Sequence, residues 1–86
     1  MDHVAIDLGG RESQICVRAA DGRILEETRV PTTGLRKYLG AKTASLVIIE
    51  TCAEAFRVAD DAEELGHQVK VVPASLARSL GWAAGE

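Results

Sequence analysis

The sequence predicts an α/β fold in which three antiparallel strands are followed by parallel strands alternating with helices. Three observations predict it. The segment before Pro31 holds alternating apolar runs broken at Gly9-Gly10 and at Asp21-Gly22, the punctuation of a meander. After Pro31 the apolar spacing switches back and forth between helical repeats and short aliphatic runs. The composition is globular: 47% of the 86 residues are apolar, 27% charged and only 3% aromatic, so Val, Ile, Leu and Ala must build the core. A chain this short supports one domain at most and stabilises a core with little margin. Residues 1–86 are therefore read as a single unit, with an unpatterned tail over 82–86.

The first strand lies in HVAIDLGG, His3 to Gly10, where Val4, Ile6 and Leu8 alternate with Ala5 and Asp7 and the run breaks at the two glycines. SQICVRA, Ser13 to Ala19, alternates through Ile15 and Val17 as a second strand, and the Asp-Gly turn leads into a third, Ile24 to Val30, more polar as suits a sheet edge. Thr32 or Thr33 is placed to cap a short helix that puts Leu35 and Leu39 on one face and stops at Gly40. SLVIIE, Ser45 to Glu50, is a continuous aliphatic run, as in a strand covered on both faces. From Thr51 to Leu65, Ala55, Val58, Ala59, Ala62 and Leu65 recur at helical spacing opposite a solvated acidic face over Asp60 to Glu64, with Gly66 as the stop. QVKVV, Gln68 to Val72, is the last strand, and Ser75 can cap a final helix through Leu80. The order is β β β α β α β α.

A net charge of −3 and a pI near 5.3, with no basic cluster longer than Arg36-Lys37, give no general attraction to phosphate backbones. No apolar run is long enough for a membrane span and no signal peptide is visible, so a soluble, cytoplasmic protein is expected. Cys16 and Cys52 lack metal-ligand spacing and are expected to be buried and reduced. His67, next to the helix-ending glycine, is read as a partner of the helix C-terminus rather than a metal ligand.

Two carboxylates stand out. Asp7 and Glu50 each end an aliphatic strand, and a charge at the edge of a core needs a partner, hydrogen bonds or a cation. The plainer reading of Asp7 is a cap on the glycine turn. The chemical reading follows from topology: parallel strands joined by helices bring ligands to their carboxyl ends, and neighbouring strands ~4.8 Å apart would let both carboxylates share one Mg²⁺ or Mn²⁺. Such an ion can activate water or a hydroxyl against a phosphodiester.

The order and spacing of AIDLGGRESQICVRAADGRILEETRVPTT and LVIIETCAEAFRVADDAEELGHQVKVVPASLARSLG resemble the N-terminal, RuvC-like part of the DEDD transposases of bacterial insertion sequences, which are guided by a bridge RNA. The resemblance runs from about Val4 to Gly81. It implies an RNase H-like fold, incomplete at the C-terminus, and makes Asp7 and Glu50 the catalytic, metal-binding first two of four acidic ligands. DNA and guide RNA are partners of the full-length family. The segment carrying the other two ligands and the domain with the nucleophilic serine do not follow Gly81, so a domain fragment or truncated relative, inactive by itself, is expected. Where many relatives carry a Lys after the first strand, this chain has Gly10 followed by Arg11, which is either a phosphate contact or a solvated loop charge.

Two other classes compete. Sugar kinases and actin-like ATPases also begin with IDLGG, but Glu12 would repel a phosphate in that loop. A non-catalytic assembly module would keep the fold with the carboxylates as remnants. An incomplete RNase H-like core is expected to leave aliphatic surface along Val69 to Val72, buried by homo-oligomerisation, and Trp82 is expected to cover apolar surface left by the missing segment.

Overall fold

The computed structural model describes residues 1–73. They form a five-stranded mixed sheet carrying two helices: β1 (His3–Asp7), β2 (Glu12–Arg18), β3 (Ile24–Pro31), α1 (Leu35–Gly40), β4 (Leu46–Glu50), α2 (Ala55–Glu64) and β5 (Gln68–Val72). The strand order is β3-β2-β1-β4-β5. The first three strands are the expected antiparallel meander, while β4 runs parallel to β1 and β5 parallel to β4. The expected final helix over 75–80 and Trp82 lie outside the described residues.

The β2–β3 turn is closed by Ala19 N–H to Arg23 O at 2.8 Å and Gly22 N–H to Ala19 O at 2.9 Å. Gly22 sits at φ 91°, the left-handed conformation such a turn requires of its last residue, and Asp21 Oδ1 accepts from Arg23 N–H. The chain then crosses the sheet through α1 and inserts β4 on the far side of β1. One turn of 3-10 helix, Thr32–Gly34, leads into α1, and neither Thr32 nor Thr33 caps it with a side chain, contrary to expectation. The Thr32 hydroxyl is engaged elsewhere, on the loop after β1.

Sheet alternation separates two faces. Val4, Ile6, Ile15, Val17, Val47 and Ile49 point to the helices and pack with Leu35 and Leu39 of α1 and with Ala55, Ala59 and Ala62 of α2 in one core. On the opposite face Ile48 and Val72 are buried with Leu46 beside them, so β4 is covered on both faces as its sequence implied. Each large aliphatic buried in this way contributes roughly 1.5–3 kcal/mol, which a six-residue helix such as α1 needs, since it has no stability alone.

α2 starts later than the sequence suggested, at Ala55 rather than Thr51. Thr51 N–H and Oγ1–H both donate to Val72 O, at 2.7 and 3.0 Å, holding the chain extended beyond Glu50. At the other end Gly66, at φ 93°, closes α2: Gly66 N–H bonds to Glu63 O and His67 N–H to Ala62 O, the paired bonds of a Schellman stop.

That stop turns His67 into the interior, where it is 5% exposed. His67 Nδ1 accepts from Ser45 N–H at 3.1 Å, which leaves the hydrogen on Nε2 to donate to Leu39 O at 2.8 Å. The ring therefore ties the end of α1 to the starts of β4 and β5. It is a buried structural crosspiece and not a partner of its own helix end. Cys16 is buried as expected, but Cys52 is exposed, because residues 51–54 form a turn outside the core rather than a helix start packed on it. The expected apolar surface along β5 is also not found: Val69 and Val71 pack half-buried against the core and Val72 is buried. The exposed large apolar side chains among the described residues are Met1, Ile24, Leu25 and Phe56.

Candidate functional site

Asp7 and Glu50 end adjacent parallel strands. The β1–β4 ladder pairs His3 with Leu46, Val4 with Val47, Ala5 with Ile48 and Ile6 with Ile49, so the next step sets Asp7 beside Glu50. Val4 and Ile6, like Val47 and Ile49, face the helices, and alternation puts both carboxylates on the other face, at the carboxyl end of the sheet. Neighbouring strand positions ~4.8 Å apart bring the two within reach of a single cation. Asp7 is exposed and Glu50 half-buried. Among the described residues neither is held by an ion pair or a side-chain hydrogen bond, so Asp7 does not cap the glycine turn.

The turn is held by other residues. Thr32 Oγ1 donates to Gly9 O at 2.6 Å, which leaves Ser13 Oγ to donate to Thr32 Oγ1 at 2.8 Å, while Gly9 N–H points to Ser13 Oγ at 3.4 Å. These bonds form a closed ring with one direction of donation. Thr32 N–H adds a bond to Arg11 O at 2.9 Å. Ser13 is fully buried, so its hydroxyl depends on this ring for partners. Gly9 cannot be replaced without movement, because a Cβ there would run into the carbonyl oxygen of Glu12, whereas Gly10 faces open space. On the β4 side the two bonds from Thr51 to Val72 O hold the backbone beyond Glu50. Both carboxylates thus stand on backbone fixed by neighbouring segments.

Arg11 lies exposed in the loop after Asp7, with its carbonyl fixed by Thr32 and its side chain in solvent. Among the described residues no three of His, Cys, Asp and Glu gather as a metal-binding group, and this end of the sheet carries the two carboxylates Asp7 and Glu50. Paired carboxylate oxygens without a cationic side chain are donors suited to a hard divalent ion such as Mg²⁺ or Mn²⁺. Among the described residues, a cleft of about 160 Å³ on the helix side is lined by Thr32, Thr33, Leu35, Arg36, Glu54, Arg57, Val58 and Asp61, away from both carboxylates. Arg36 bridges beside it to Asp61 at 2.7 Å and to Glu64 at 2.9 Å, which joins α1 to α2.

A second charged group belongs to the scaffold. Glu26 Oε1 on β3 accepts from Lys42 Nζ and from Tyr38 Oη, both at 2.7 Å, and the Lys42 ammonium lies 5.0 Å from the Tyr38 ring centre. The Lys42 ammonium, and next the Tyr38 hydroxyl, hold the Glu26 carboxyl below its ordinary range. Glu26 in turn raises the Lys42 ammonium, and burial raises the Tyr38 hydroxyl.

Periodicity in the sequence located Asp7 and Glu50, but Ser13, Thr32 and Thr51, which fix the backbone around them, carried no signal except their position beside strand ends. No helix among the described residues is long and apolar enough to cross a membrane. No family model and no curated protein matches this chain.

Proposed function

We propose that this chain is the N-terminal RuvC-like part of a DEDD transposase of the bridge-RNA-guided kind, with an RNase H-like fold. Asp7 and Glu50 would then be two of the acidic ligands of a Mg²⁺-dependent site for DNA cleavage and strand transfer. The observation that carries this reading is the arrangement of the two carboxylates: ends of adjacent parallel strands, one face, no neutralising side chain among the described residues. The sheet order, with an antiparallel meander followed by two parallel strands, supports the same reading.

Asp7 and Glu50 would hold the ion, which when bound supplies activation of water or a hydroxyl for attack on a phosphodiester. The chain's own part is to keep the two carboxylates together on rigid strand ends. The Gly9–Ser13–Thr32 ring keeps the Asp7 side of that pair in place, and Thr51 the Glu50 side. Arg11, exposed in the loop after Asp7, would meet a DNA phosphate. With two ligands the affinity is weak and the remaining coordination belongs to water. DNA and guide RNA are the partners of the complete enzyme, and the segment described here supplies part of its site.

Free Mn²⁺, read by its electron paramagnetic resonance signal, tests the ligand assignment. Asp7→Asn and Glu50→Gln should each weaken Mn²⁺ binding by about tenfold or more, since each removes one of two charges attracting the ion. Binding equal to that of the parent in either variant overturns the assignment.

A further inference from the structure

β3 forms one edge of the sheet, and its outer side presents backbone donors and acceptors to solvent along a long strand. The exposed apolar residues of the sheet are also here: Ile24 and Leu25 are each 48% exposed, whereas Val69, Val71 and Val72 at the opposite edge are covered. Two features bound the regular part of this edge. The β2–β3 register shifts between Val17, paired with Glu26, and Arg18, paired with Ile24, so Leu25 is an extra residue in a bulge. At the other end Pro31 has no N–H to offer. The regular, pairable stretch between them is Glu26 to Val30, and its midpoint is Thr28.

The charges select the same midpoint. Glu26 is already engaged by Lys42 and Tyr38 on the helix side. Glu27 and Arg29 are exposed on the other face, and among the described residues neither is held by an ion pair. Residues directly opposite each other in an antiparallel pair share a face and interact. A two-fold axis at Thr28 sets each Glu27 against an Arg29, twice by symmetry. Moving the axis one residue toward the N-terminus opposes two Glu27 carboxylates, and moving it the other way opposes two Arg29 guanidinium groups.

We propose that β3 pairs antiparallel with the β3 of a second copy of this chain, with Thr28 at the two-fold axis and Glu27 facing the partner's Arg29. The two sheets become one, the edge is closed, and the bulge and the proline end the ladder on either side. This is strand addition between identical edges. The interface is small, so the dimer is of the weak, reversible kind that forms as concentration rises.

Sedimentation equilibrium of the 86-residue chain over a wide concentration range tests it, with three charge variants. The parent should show a monomer–dimer equilibrium. Glu27→Arg and Arg29→Glu each turn both symmetric attractions into repulsions and should weaken the dimer by about tenfold or more, while the combined variant E27R/R29E restores opposite charges and should return to within about threefold of the parent. Both residues are exposed, so circular dichroism of the dilute variants should be unchanged. A parent that stays monomeric at every concentration overturns the proposal and leaves the edge to some other chain. A dimer indifferent to both single reversals, or one that the double variant does not recover, overturns it equally by placing the contact elsewhere.

Discussion

The two ends of the sheet treat their polar groups in opposite ways. At the end where β4 and β5 begin, His67 is buried and both of its ring nitrogens are engaged, one by Ser45 N–H and the other by Leu39 O. Nothing polar in that arrangement is left over for a ligand. At the end where β1 and β4 finish, Asp7 and Glu50 stand side by side on fixed backbone, with no ion pair among the described residues. The contrast separates polar residues that hold the molecule together from those available to something outside it.

The largest effect expected from perturbing this contrast is at the satisfied end. His67→Ala should lower unfolding free energy by about 3 kcal/mol, because it opens a cavity and strands a buried N–H and a buried carbonyl together. Urea denaturation measures it, and a loss under about 0.5 kcal/mol would mean the crosspiece is not structural. Thr32→Val should cost about 1–2 kcal/mol, since it deprives Gly9 O and the buried Ser13 hydroxyl of a partner. It should also weaken Mn²⁺ binding although Thr32 is not a ligand; unchanged Mn²⁺ affinity would show that the ring does not support the carboxylates.

A smaller effect concerns acid. The Glu26 carboxyl is held below its ordinary value of 4.5 in the folded state, first by Lys42 and then by Tyr38. The unfolded chain therefore binds that proton more readily. The stabilisation is present above about 4.5 and is lost as pH falls through the lower folded value. Glu26 is 41% exposed, so solvent screening keeps the contribution under about 1 kcal/mol. Lys42→Met should flatten this part of the acid unfolding curve, and a curve of unchanged slope would contradict the assignment. The smallest effect has the opposite sign to the rest. Without metal, Asp7→Asn should raise stability by on the order of 0.5 kcal/mol by removing the repulsion from Glu50. A loss of stability there would place Asp7 with the structural residues instead.

Much of the fold was legible in the sequence because strands and helices announce themselves by local spacing. The meander, the doubly covered β4, the burial of Leu35 and Leu39 and the position of Asp7 and Glu50 at the ends of adjacent parallel strands all follow from periods of two and of 3.6 and from parallel topology. What was missed depends on segments far apart in the chain meeting at one point. The His67 ring needs α1, the start of β4 and the end of α2 in place together, and the helix-end reading followed only its neighbour Gly66. Thr32 fits a helix cap by sequence, but β2 brings the buried Ser13 hydroxyl to it, and its own proton goes to Gly9 O. Thr51 likewise looked like the first residue of α2, but Val72 O, from a strand later in the chain, accepts from both its donors. Exposure of Cys52 follows from that displaced helix start.

The central claim, that Asp7 and Glu50 together hold a divalent ion, is tested most directly by titrating Mn²⁺ into isotope-labelled protein and following which backbone amide signals broaden. The account predicts broadening centred on Asp7 and Glu50 and extending into the Gly9–Gly10 turn, while the signals of Ser45 and His67 at the far end stay sharp. Broadening elsewhere, or none localised at these strand ends, would contradict it.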